Sequence, residues 1–320
     1  GVTRGAPEFV PPELATLVDD PPTGAQWVFE TKYDGYRLEP VVARGKARLM
    51  TRRGKDWTDR FPVLASELGR LPVRTAVLDG EVVVLDRRGR SRFALLQQSL
   101  DASRDQDLTF FAFDLLHHDG EDLRRLPLTE RRARLEALLR KAGAGPTGPV
   151  RLGRRLSGRG ATLLRAACRR GLEGIMAKRS DSTYQSRRTM DWVKIKCSNR
   201  QEFVIVGYTP PRGSRIDIGS LLLAVHDNGA LQYAGRVGSG MDDATLRGLR
   251  RRLRPIERAT SPLPGRQTGL PREVHWVEPK LVCEVSFTEW TRDGALRHPV
   301  FVGIREDKPA REVRRERAAP

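Results

Sequence analysis

A lysine in a short polar break between two strand-like segments is the first residue of this chain that could do chemistry. The segment FETKYDGYRL places Lys32 close to Asp34, Gly35 and Arg37. A lysine acts as a nucleophile when burial or nearby cations lower its pKa, and otherwise serves as a phosphate clamp or a surface charge. Gly35 permits a tight backbone turn, and Arg37 presents a planar fork of donors to a hydroxyl or a phosphate. Taken alone, the motif is more typical of a charged hairpin turn.

Two carboxylates and two further lysines occupy similar strand-edge positions. Glu81 follows a glycine in LDGEVVVL, and Glu173 precedes one in EGIMAK. Mg²⁺ that bridges phosphates takes one or two carboxylates and keeps its waters, so this pair could serve such an ion, although each alone is typical of a turn. In DWVKIKC, Lys194 and Lys196 alternate and are predicted to share one face of a strand. Either an anion lies between these two ammonium groups, or they protect a solvated strand edge from aggregation.

The charge balance favours a polyanionic partner. Lysine and arginine number 58 against 40 acidic residues, which gives a formal net charge of +18. Basic surfaces bind nucleic acid because neutralising phosphates releases counterions, although an arginine-rich genome would raise the charge without such a purpose. The length of 320 residues suits two domains. The sequence contains no apolar run of about 18 residues, so no membrane partner is expected.

The cysteines and the start of the chain indicate the cellular setting. Cys168, Cys197 and Cys283 are scattered and lack CxxC spacing. Neither a disulfide framework nor a zinc site is predicted, and a reducing, cytoplasmic setting is expected. The first residues show neither a signal-peptide pattern nor an initiating methionine. The chain is therefore expected to be processed, or cut from a longer one.

Short apolar alternations separated by glycine and charged turns predict a sheet-rich first domain. WVFETKYDGYRLEPVVARGKARLM, RTAVLDGEVVVL and LTFFAFDLL predict antiparallel strands and hairpins. Helices are predicted at LTERRARLEALLRKAG, with Thr129 as its cap, and at GATLLRAACRRG. After KIKCSNRQEF, short strands linked by Gly, Pro and Asn turns are typical of a small barrel, with one helix at MDDATLRGLRRRLRPI. We divide the chain into residues 1–199 and 200–320 and expect the closing REDKPAREVRRERAAP to be a frayed basic tail.

A series of motifs in fixed order resembles that of the covalent nucleotidyltransferases, the superfamily of DNA ligases, RNA ligases and mRNA-capping enzymes. The motifs are KYDGYR, TRRGKDW, LDGEVV, FAFDLL, EGIMAK, WVKIK and RHPVFVGIREDK. The chain is most similar to bacterial ATP-dependent DNA ligases, and FVIVGYTPPRGSR with RHPVF resembles the ligase domain of the ligase D type used in end joining. The resemblance covers roughly Glu13 to Lys308. It implies an α+β fold: an adenylation domain of mixed, mainly antiparallel sheets with flanking helices, followed by an oligonucleotide-binding (OB) barrel.

The resemblance implies chemistry through a lysyl-adenylate. Lys32 matches the nucleophile that attacks the α-phosphate of ATP, expels pyrophosphate and carries the AMP. Glu30 matches the residue that helps to read adenine, Phe113 the aromatic that stacks on the base, and Arg37 the arginine that contacts the ribose and later the DNA end. The AMP then passes to a DNA 5′-phosphate, and attack by the neighbouring 3′-hydroxyl seals the break.

The other motifs of the first domain imply charge neutralisation around the phosphates. Glu81 and Glu173 match the carboxylates that serve Mg²⁺ or Mn²⁺ beside the nucleotide. Lys194 and Lys196 match the catalytic pair that neutralises the α-phosphate, and Arg52 matches a position that contacts phosphate on the DNA. Phosphoryl-type transfer needs little covalent help but much charge neutralisation and in-line positioning, which these residue types supply.

The last motif and the length of the chain imply how the enzyme would be assembled. Arg305, Asp307 and Lys308 resemble catalytic residues that a mobile OB barrel closes over the pyrophosphate. Val300 and Gly303 stand where larger ligases often have basic residues, so fewer phosphate contacts are expected. Because no helical DNA-binding domain, polymerase or phosphoesterase module fits, an excised domain or a stand-alone relative is expected. The enzyme is expected to be a monomer that is associated with the nucleoid. Its expected partners are DNA ends or nicks, a Ku-like end-binding protein, and polymerase or phosphoesterase modules.

Other classes share part of the pattern. An NAD-dependent ligase would carry a four-cysteine zinc module, which the cysteines exclude. An RNA ligase and a GTP-using capping enzyme share the lysine motif, and the EGIMAK and REDK segments favour a DNA ligase over both. A DNA-end-binding module that has lost catalysis is the alternative from a different class. The full set of Lys32, Glu81, Glu173, Lys194 and Lys196 argues against such a loss.

Overall fold

The computed structural model describes residues 8–211 and 217–319, and the chain divides into two compact units. The first unit ends at Cys197 and also takes in the chain from Ala318, and the second unit is Ser198–Arg317. The boundary therefore falls between Cys197 and Ser198. The boundary predicted from the sequence lay two residues later, after residue 199. Within the described residues, none of the helices combines the length and the apolar character that crossing a bilayer needs.

The first unit contains two sheets and four α-helices within its described residues. Sheet A has the strand order β1-β11-β10-β2-β9, and sheet B the order β4-β3-β5-β6-β7 with β8 beside β6. All strand pairs are antiparallel except β1 with β11 and β6 with β8. The elements are β1 (Leu14–Leu17), β2 (Trp27–Thr31), β3 (Tyr36–Ala43), β4 (Lys46–Thr51), α1 (Pro62–Gly69), β5 (Thr75–Val84), α2 (Phe93–Asp101), β6 (Leu108–His118), β7 (Glu121–Asp122), α3 (Leu128–Lys141), β8 (Val150–Leu152), β9 (Arg155–Leu156), α4 (Gly160–Arg169), β10 (Gly174–Arg179) and β11 (Arg188–Lys196).

Sheet A separates an apolar core from a polar face. Phe29, Ile175 and Val193 pack with Ala167 of α4 on one side of the sheet. Successive side chains of a strand point to opposite faces, so their strand neighbours project to the other side. The strand register shows which residues share the polar face. Met176 lies opposite both Glu30 and Lys194, and Lys178 lies opposite Trp192. The Trp192 ring packs edge-on against Phe113 of sheet B, at 6.1 Å between centroids, so this polar face looks toward sheet B.

Sheet B brings three motif positions of different strands into one row. Arg37 of β3 lies opposite Glu81 of β5, and Glu81 lies opposite Phe111 of β6. Gly35, at the entry to β3, is required by close approach rather than by a turn. A Cβ atom there would lie 1.9 Å from the Val82 carbonyl oxygen. The glycine of KYDGYR thus allows the nucleophile segment to pack directly on β5.

The part of the second unit that the structure describes is a small barrel with one α-helix. Its antiparallel sheet runs β14-β13-β12-β16-β15, β17 pairs with β12 and β20, and a bridge between Ser239 and Val300 links the two ends. Asp242 caps α5 by accepting a hydrogen bond from the Thr245 backbone N–H at 2.8 Å. The elements are β12 (Asn199–Tyr208), β13 (Leu221–Asp227), β14 (Ala230–Val237), α5 (Asp243–Leu253), β15 (Glu257–Arg258), β16 (His275–Val277), β17 (Val282–Phe287), β18 (Glu289–Trp290), β19 (Leu296–Arg297) and β20 (Val300–Ile304).

Two local predictions were wrong. Thr129 does not cap α3, because the helix already begins at Leu128. The backbone N–H groups of Leu128 and Thr129 donate instead to the carbonyls of Ser182 and Ser180, so tertiary structure replaces the side-chain cap. The closing segment is not frayed. Val313 is fully buried and its carbonyl accepts from the His226 backbone N–H at 2.8 Å, an apolar anchor that the surrounding charges hide in the sequence.

The prediction that the cysteines form no disulfide was also wrong. Cys168 and Cys197 are bonded, with their Cα atoms 5.2 Å apart, and Cys283 is buried as a free thiol. Cys168 lies near the end of α4 and Cys197 directly follows β11. The packing of α4 on sheet A brings these positions together over a sequence separation of 29 residues, a proximity that no cysteine spacing motif announces.

Candidate functional site

Lys32 lies immediately after β2, at the edge of the polar face of sheet A. Its ammonium Nζ is 2.7 Å from Oε1 of Glu173, and the two side chains are 18% and 9% exposed. Glu173 precedes Gly174, where a Cβ atom would meet the Ile195 carbonyl oxygen at 2.0 Å. Because a side chain at residue 174 is excluded, β10 can pack closely on β11 and hold Glu173 beside Lys32.

The electrostatics around Lys32 favour its charged form. Burial acts to lower the pKa of Lys32, but the charge and hydrogen bond of Glu173, with smaller contributions from Glu81 and Asp34, outweigh burial and raise this pKa. This direction is opposite to the lowered pKa that a nucleophilic lysine requires. Both carboxylates predicted to serve a metal ion therefore lie within electrostatic reach of Lys32.

Arg37 is fixed by a residue that sequence reasoning missed. Its Nε and Nη2 donate to the two carboxylate oxygens of Asp79, at 2.9 Å and 2.6 Å, and its Nη1 donates to the Glu13 carbonyl at 2.6 Å. The Tyr184 hydroxyl donates to the same Asp79 carboxylate at 2.7 Å. Burial lowers the pKa of Arg37, but Asp79 more than compensates and raises it. The signal was present, since Asp79 belongs to the LDGE motif that pointed to Glu81.

Glu30 and Phe113 both contact Lys178, a second site residue that was not predicted from the sequence. Lys178 Nζ lies 2.7 Å from Oε2 of Glu30, and it sits 4.3 Å and 3.9 Å from the ring centroids of Phe113 and Trp192. Lys178 ends the EGIMAK motif, but nothing in its spacing indicates that a lysine at this position would be buried against two rings. The structure thus joins the residue predicted to read adenine to the residue predicted to stack on it.

A further aromatic pair lies beside the nucleophile. The rings of Tyr33 and Phe111 are stacked, with centroids 4.1 Å apart. The Tyr33 hydroxyl accepts a hydrogen bond from the Arg154 backbone N–H at 3.0 Å. Burial, only partly opposed by that hydrogen bond, raises the pKa of Tyr33 to about 12. Tyr33 is therefore neutral at physiological pH, and its ring fixes the chain next to Lys32.

The two lysines of WVKIK occupy the same face of β11, which confirms the predicted alternation. Lys194 is opposite Met176, which is in turn opposite Glu30, and Lys196 is opposite Gly174. Both lysines therefore lie on the polar face of sheet A that also carries Glu30. Arg52 stands apart from this group, in the turn that follows β4 at the edge of sheet B.

The last-motif residues form an ion cluster within the second unit. Arg305 donates to both carboxylate oxygens of Asp307 at 2.9 Å and to Glu284 at 2.9 Å. Lys308 Nζ lies 3.0 Å from Oε2 of Glu202. Burial lowers the pKa of Arg305, but Asp307 and Glu284 raise it further than burial lowers it. Arg305 and Lys308 are thus held by carboxylates of their own unit, and Asp307 is one of the carboxylates that hold Arg305.

The donor set around Lys32 fits one metal ion that is also bound by phosphates. Among the described residues, no group of three or more His, Cys, Asp or Glu side chains could hold a metal by itself. Mg²⁺ at a nucleotide usually takes one or two carboxylates, several waters and phosphate oxygens. Glu81 and Glu173 supply two carboxylates near Lys32 and match that requirement.

A largely buried lysine at the edge of sheet A, with two carboxylates within electrostatic reach and a small barrel following in the chain, is the arrangement of the two-domain covalent nucleotidyltransferase class. A family model described as the ATP-dependent DNA ligase domain matches residues 12–196, and one described as the ATP-dependent DNA ligase C-terminal region matches residues 214–308. The chain belongs to the family of ATP-dependent DNA ligases.

The chain is also similar to individual proteins of this family. The multifunctional non-homologous end joining protein LigD of Pseudomonas aeruginosa is 49% identical over 98% of this chain, and its counterpart from Mycobacterium tuberculosis is 41% identical over 91%. The chain spans 37% and 38% of the length of these two proteins. A solved mycobacterial DNA ligase D, complexed with ATP and MES, has a TM-score of 0.73 and 38% identity and covers 96% of this chain and 98% of its own. These likenesses confirm the α+β fold with a nucleotidyltransferase domain and an OB-fold domain.

Proposed function

We propose that this chain seals 5′-phosphate/3′-hydroxyl breaks in DNA through an AMP bound covalently to Lys32. The observation that supports this most directly is the position of Lys32, which is largely buried, is paired with Glu173 and lies within electrostatic reach of Glu81. A nucleotide phosphate entering this cleft would meet an amine, two carboxylates suited to a divalent ion, and the two lysines of β11. That combination matches the needs of nucleotidyl transfer rather than of simple DNA binding.

In the first step, Lys32 Nζ attacks the α-phosphorus of ATP. A P–N bond forms, the bond to the bridging oxygen of the β-phosphate breaks, and pyrophosphate leaves with that electron pair. The Lys32 ammonium must first lose a proton, which passes to solvent, and its ion pair with Glu173 ends. Lys194 and Lys196 offset the charge on the α-phosphate, and Arg305, Asp307 and Lys308 of the second unit act on the departing pyrophosphate.

Base and sugar are recognised on the polar face of sheet A and the facing side of sheet B. Glu30 accepts from the adenine amino group, Phe113 stacks on the base, and Arg37 contacts the ribose. Glu81 and Glu173 would hold a divalent ion, Mg²⁺ or Mn²⁺, which would supply charge neutralisation on the phosphates.

The later steps involve DNA. A DNA 5′-phosphate oxygen attacks the lysyl-AMP phosphorus and the P–N bond breaks, which leaves AMP on the DNA end. The 3′-hydroxyl then attacks the 5′-phosphorus and AMP departs. Arg37 and Arg52 contact the DNA. The names of the LigD relatives support a role in bacterial non-homologous end joining. The proposed location is the cytoplasm, at the nucleoid. The proposed partners are a Ku-like protein and polymerase or phosphoesterase modules.

The test is self-labelling with α-³²P-ATP, and separately α-³²P-GTP, with a divalent metal, followed by denaturing electrophoresis and addition of nicked DNA. Label retained with ATP and discharged on nicked DNA is expected, and Lys32→Ala should abolish the label while DNA binding persists. Label from GTP alone would indicate capping chemistry, and no label from either would indicate a binding module. Lys32→Ala protein that still takes label would contradict the assignment of the nucleophile.

The paired lysines need a separate control for folding. Lys194→Ala and Lys196→Ala are expected to depress labelling more than they lower Tm, because their proposed role is to neutralise phosphate charge. Lys141→Ala, at the exposed end of α3, serves as the matched surface control. A loss of Tm as steep as the loss of labelling would favour a structural role at the strand.

A further inference from the structure

The Cys168–Cys197 disulfide lies next to the residue that holds the candidate nucleophile. The Cys197 backbone N–H donates to the Glu173 carbonyl at 2.9 Å, and the Glu173 side chain is paired with Lys32. Cys168 lies on the last turn of α4, shortly before Glu173. The short segment from Cys168 to Glu173 is therefore attached to Cys197 at both ends, by a covalent bond at one end and by a backbone hydrogen bond at the other.

The turn between these two attachment points is tightly fixed. Gly171 has a φ of +68°, and its N–H donates to the Cys168 carbonyl at 3.0 Å. The Leu172 N–H donates to the Ala167 carbonyl at 3.0 Å, which completes the Schellman motif that ends many helices. Because the turn is held by its own hydrogen bonds, a shift of the last turn of α4 moves Glu173 with it.

The packing of α4 does little to hold that last turn in place. The buried residues of the helix are Gly160, at the opposite end, and Ala167. Leu163 and Leu164 pack against the same core but remain partly exposed. A helix packed this lightly depends on the disulfide to fix the position of its last turn.

The two bonded sulfur atoms can be reached by a soluble thiol. Cys168 and Cys197 are each partly exposed, whereas Cys283 is fully buried as a free thiol. Burial raises the pKa of the Cys283 thiol, so this residue stays in its unreactive form. Disulfides are rare in reducing compartments, and those that occur there are usually transient and redox-sensing.

We propose that Cys168 and Cys197 form a reversible redox site that controls the placement of Glu173, with a small dithiol as reductant and a small-molecule disulfide as oxidant. The inference rests on the proposed function and deepens it. In reduction, one thiolate of the dithiol attacks a sulfur of the pair, the S–S bond breaks, and a mixed disulfide forms. The second thiol of the dithiol then displaces the protein sulfur. Two electrons and two protons thus pass to the cysteines, and the dithiol leaves as a disulfide.

Oxidation is the reverse exchange. A protein thiolate attacks the small-molecule disulfide, the neighbouring protein thiol closes the Cys168–Cys197 bond, and two small thiols leave. The state of this bond affects the first step because Glu173 pairs with Lys32 and, together with Glu81, would hold the divalent ion. The oxidised protein keeps Glu173 in place for that ion, and the reduced protein needs a higher concentration of the ion for the same rate.

The experiment compares the full chain after oxidation by oxidised glutathione and after reduction by dithiothreitol, with both reagents removed and the thiols counted by alkylation and mass. Self-labelling with α-³²P-ATP is titrated with Mg²⁺ at a temperature at which circular dichroism shows both forms to be folded. On reduction, the Mg²⁺ concentration for half-maximal labelling should rise about tenfold, as when the supporting partner of a metal-ligating side chain is lost. Cys168→Ser/Cys197→Ser should behave as reduced protein under both conditions. Cys283→Ala, the control that removes the buried thiol, should respond like wild type.

Hydrogen exchange in protein free of nucleotide and metal provides a readout that does not depend on catalysis. The backbone amides of residues 170–174 and of Cys197 should exchange faster in the reduced protein, because local opening then costs less free energy. Unchanged exchange at these amides would overturn the proposal, and so would a redox response that persists in Cys168→Ser/Cys197→Ser. Label in both states with the same Mg²⁺ dependence would overturn this inference alone. Wild-type protein that takes no label in either state would overturn the proposed function, and the exchange measurement would then decide whether the redox site places Glu173.

Discussion

Arg131 offers the sharpest test of what holds the site together. Its guanidinium and the Asp114 carboxylate are both fully buried, and Nε and Nη2 donate to the two carboxylate oxygens at 2.8 Å and 2.9 Å. Nη1 donates to the carbonyls of Leu126 and Ser182 as well. This one side chain therefore ties α3 to β6 and to the loop after β10, and its neighbour Arg132 reaches Glu30 from the same helix.

Arg131→Met leaves the Asp114 carboxylate buried without its cation. Breaking a buried ion pair by removing one partner costs about 3–5 kcal/mol. At about 2–4 °C per kcal/mol for a domain of this size, we expect Tm to fall by about 6–20 °C. Arg134→Met on the same helix is the control, because its ion pair with Glu121 is exposed and should contribute less than about 1 kcal/mol.

Thermal unfolding monitored by circular dichroism measures both variants, and a double variant tests the cause. Arg131→Met/Asp114→Leu removes both charges and should recover most of the lost stability, since replacing a buried ion pair by apolar side chains is often neutral. An Arg131→Met protein that melts within about 3 °C of wild type would refute the reasoning. So would a double variant whose loss equals the sum of the two single losses.

Three further outcomes follow from other parts of the structure. The Cys168–Cys197 disulfide closes a loop of 29 residues and should stabilise the folded protein by about 3.5 kcal/mol. Reductant should therefore lower the Tm of wild type but not of Cys168→Ser. Burial raises the pKa of Glu39 from 4.5 to about 8. Between these two pH values, the folded protein therefore keeps a proton on Glu39 that the unfolded protein has released. Wild-type stability should therefore fall by about 1.4 kcal/mol per pH unit across this window relative to Glu39→Gln, and parallel melting profiles would contradict it. Asp242→Ala should cost about 1 kcal/mol in denaturant unfolding through loss of the α5 cap.

Local patterns predicted the elements better than their contacts. The alternation in DWVKIKC correctly predicts that Lys194 and Lys196 share a face, because that property depends only on the strand period. The helices α3, α4 and α5 were likewise predicted from periodicity. By contrast, α1 and α2 were missed, since helices of 8 and 9 residues in Gly- and Arg-rich surroundings give a weak periodic signal.

Contacts between distant segments could not be predicted in the same way. Lys178 and Arg132 resemble ordinary surface charges in the sequence, and only the packing of α3 and sheet A buries both beside Glu30. The Cys168–Cys197 bond has the same origin, because helix packing rather than a spacing motif sets the distance. Asp79 is an intermediate case: its motif drew attention to Glu81, and only the fold shows that it holds Arg37.

The direction of the Lys32 pKa connects the resting structure to the proposed reaction. Burial alone would lower this pKa, and Glu173 is the largest influence that opposes burial. In the proposed reaction, Glu173 would hold a divalent ion together with Glu81, and its pairing with Lys32 would then end. Without that pairing, burial is opposed only by the smaller contributions of Glu81 and Asp34, and burial favours the neutral amine that attack requires. In the proposed reaction, the same carboxylate that stabilises the charged lysine in the folded protein would thus delay the activation of Lys32 until nucleotide and metal are bound together.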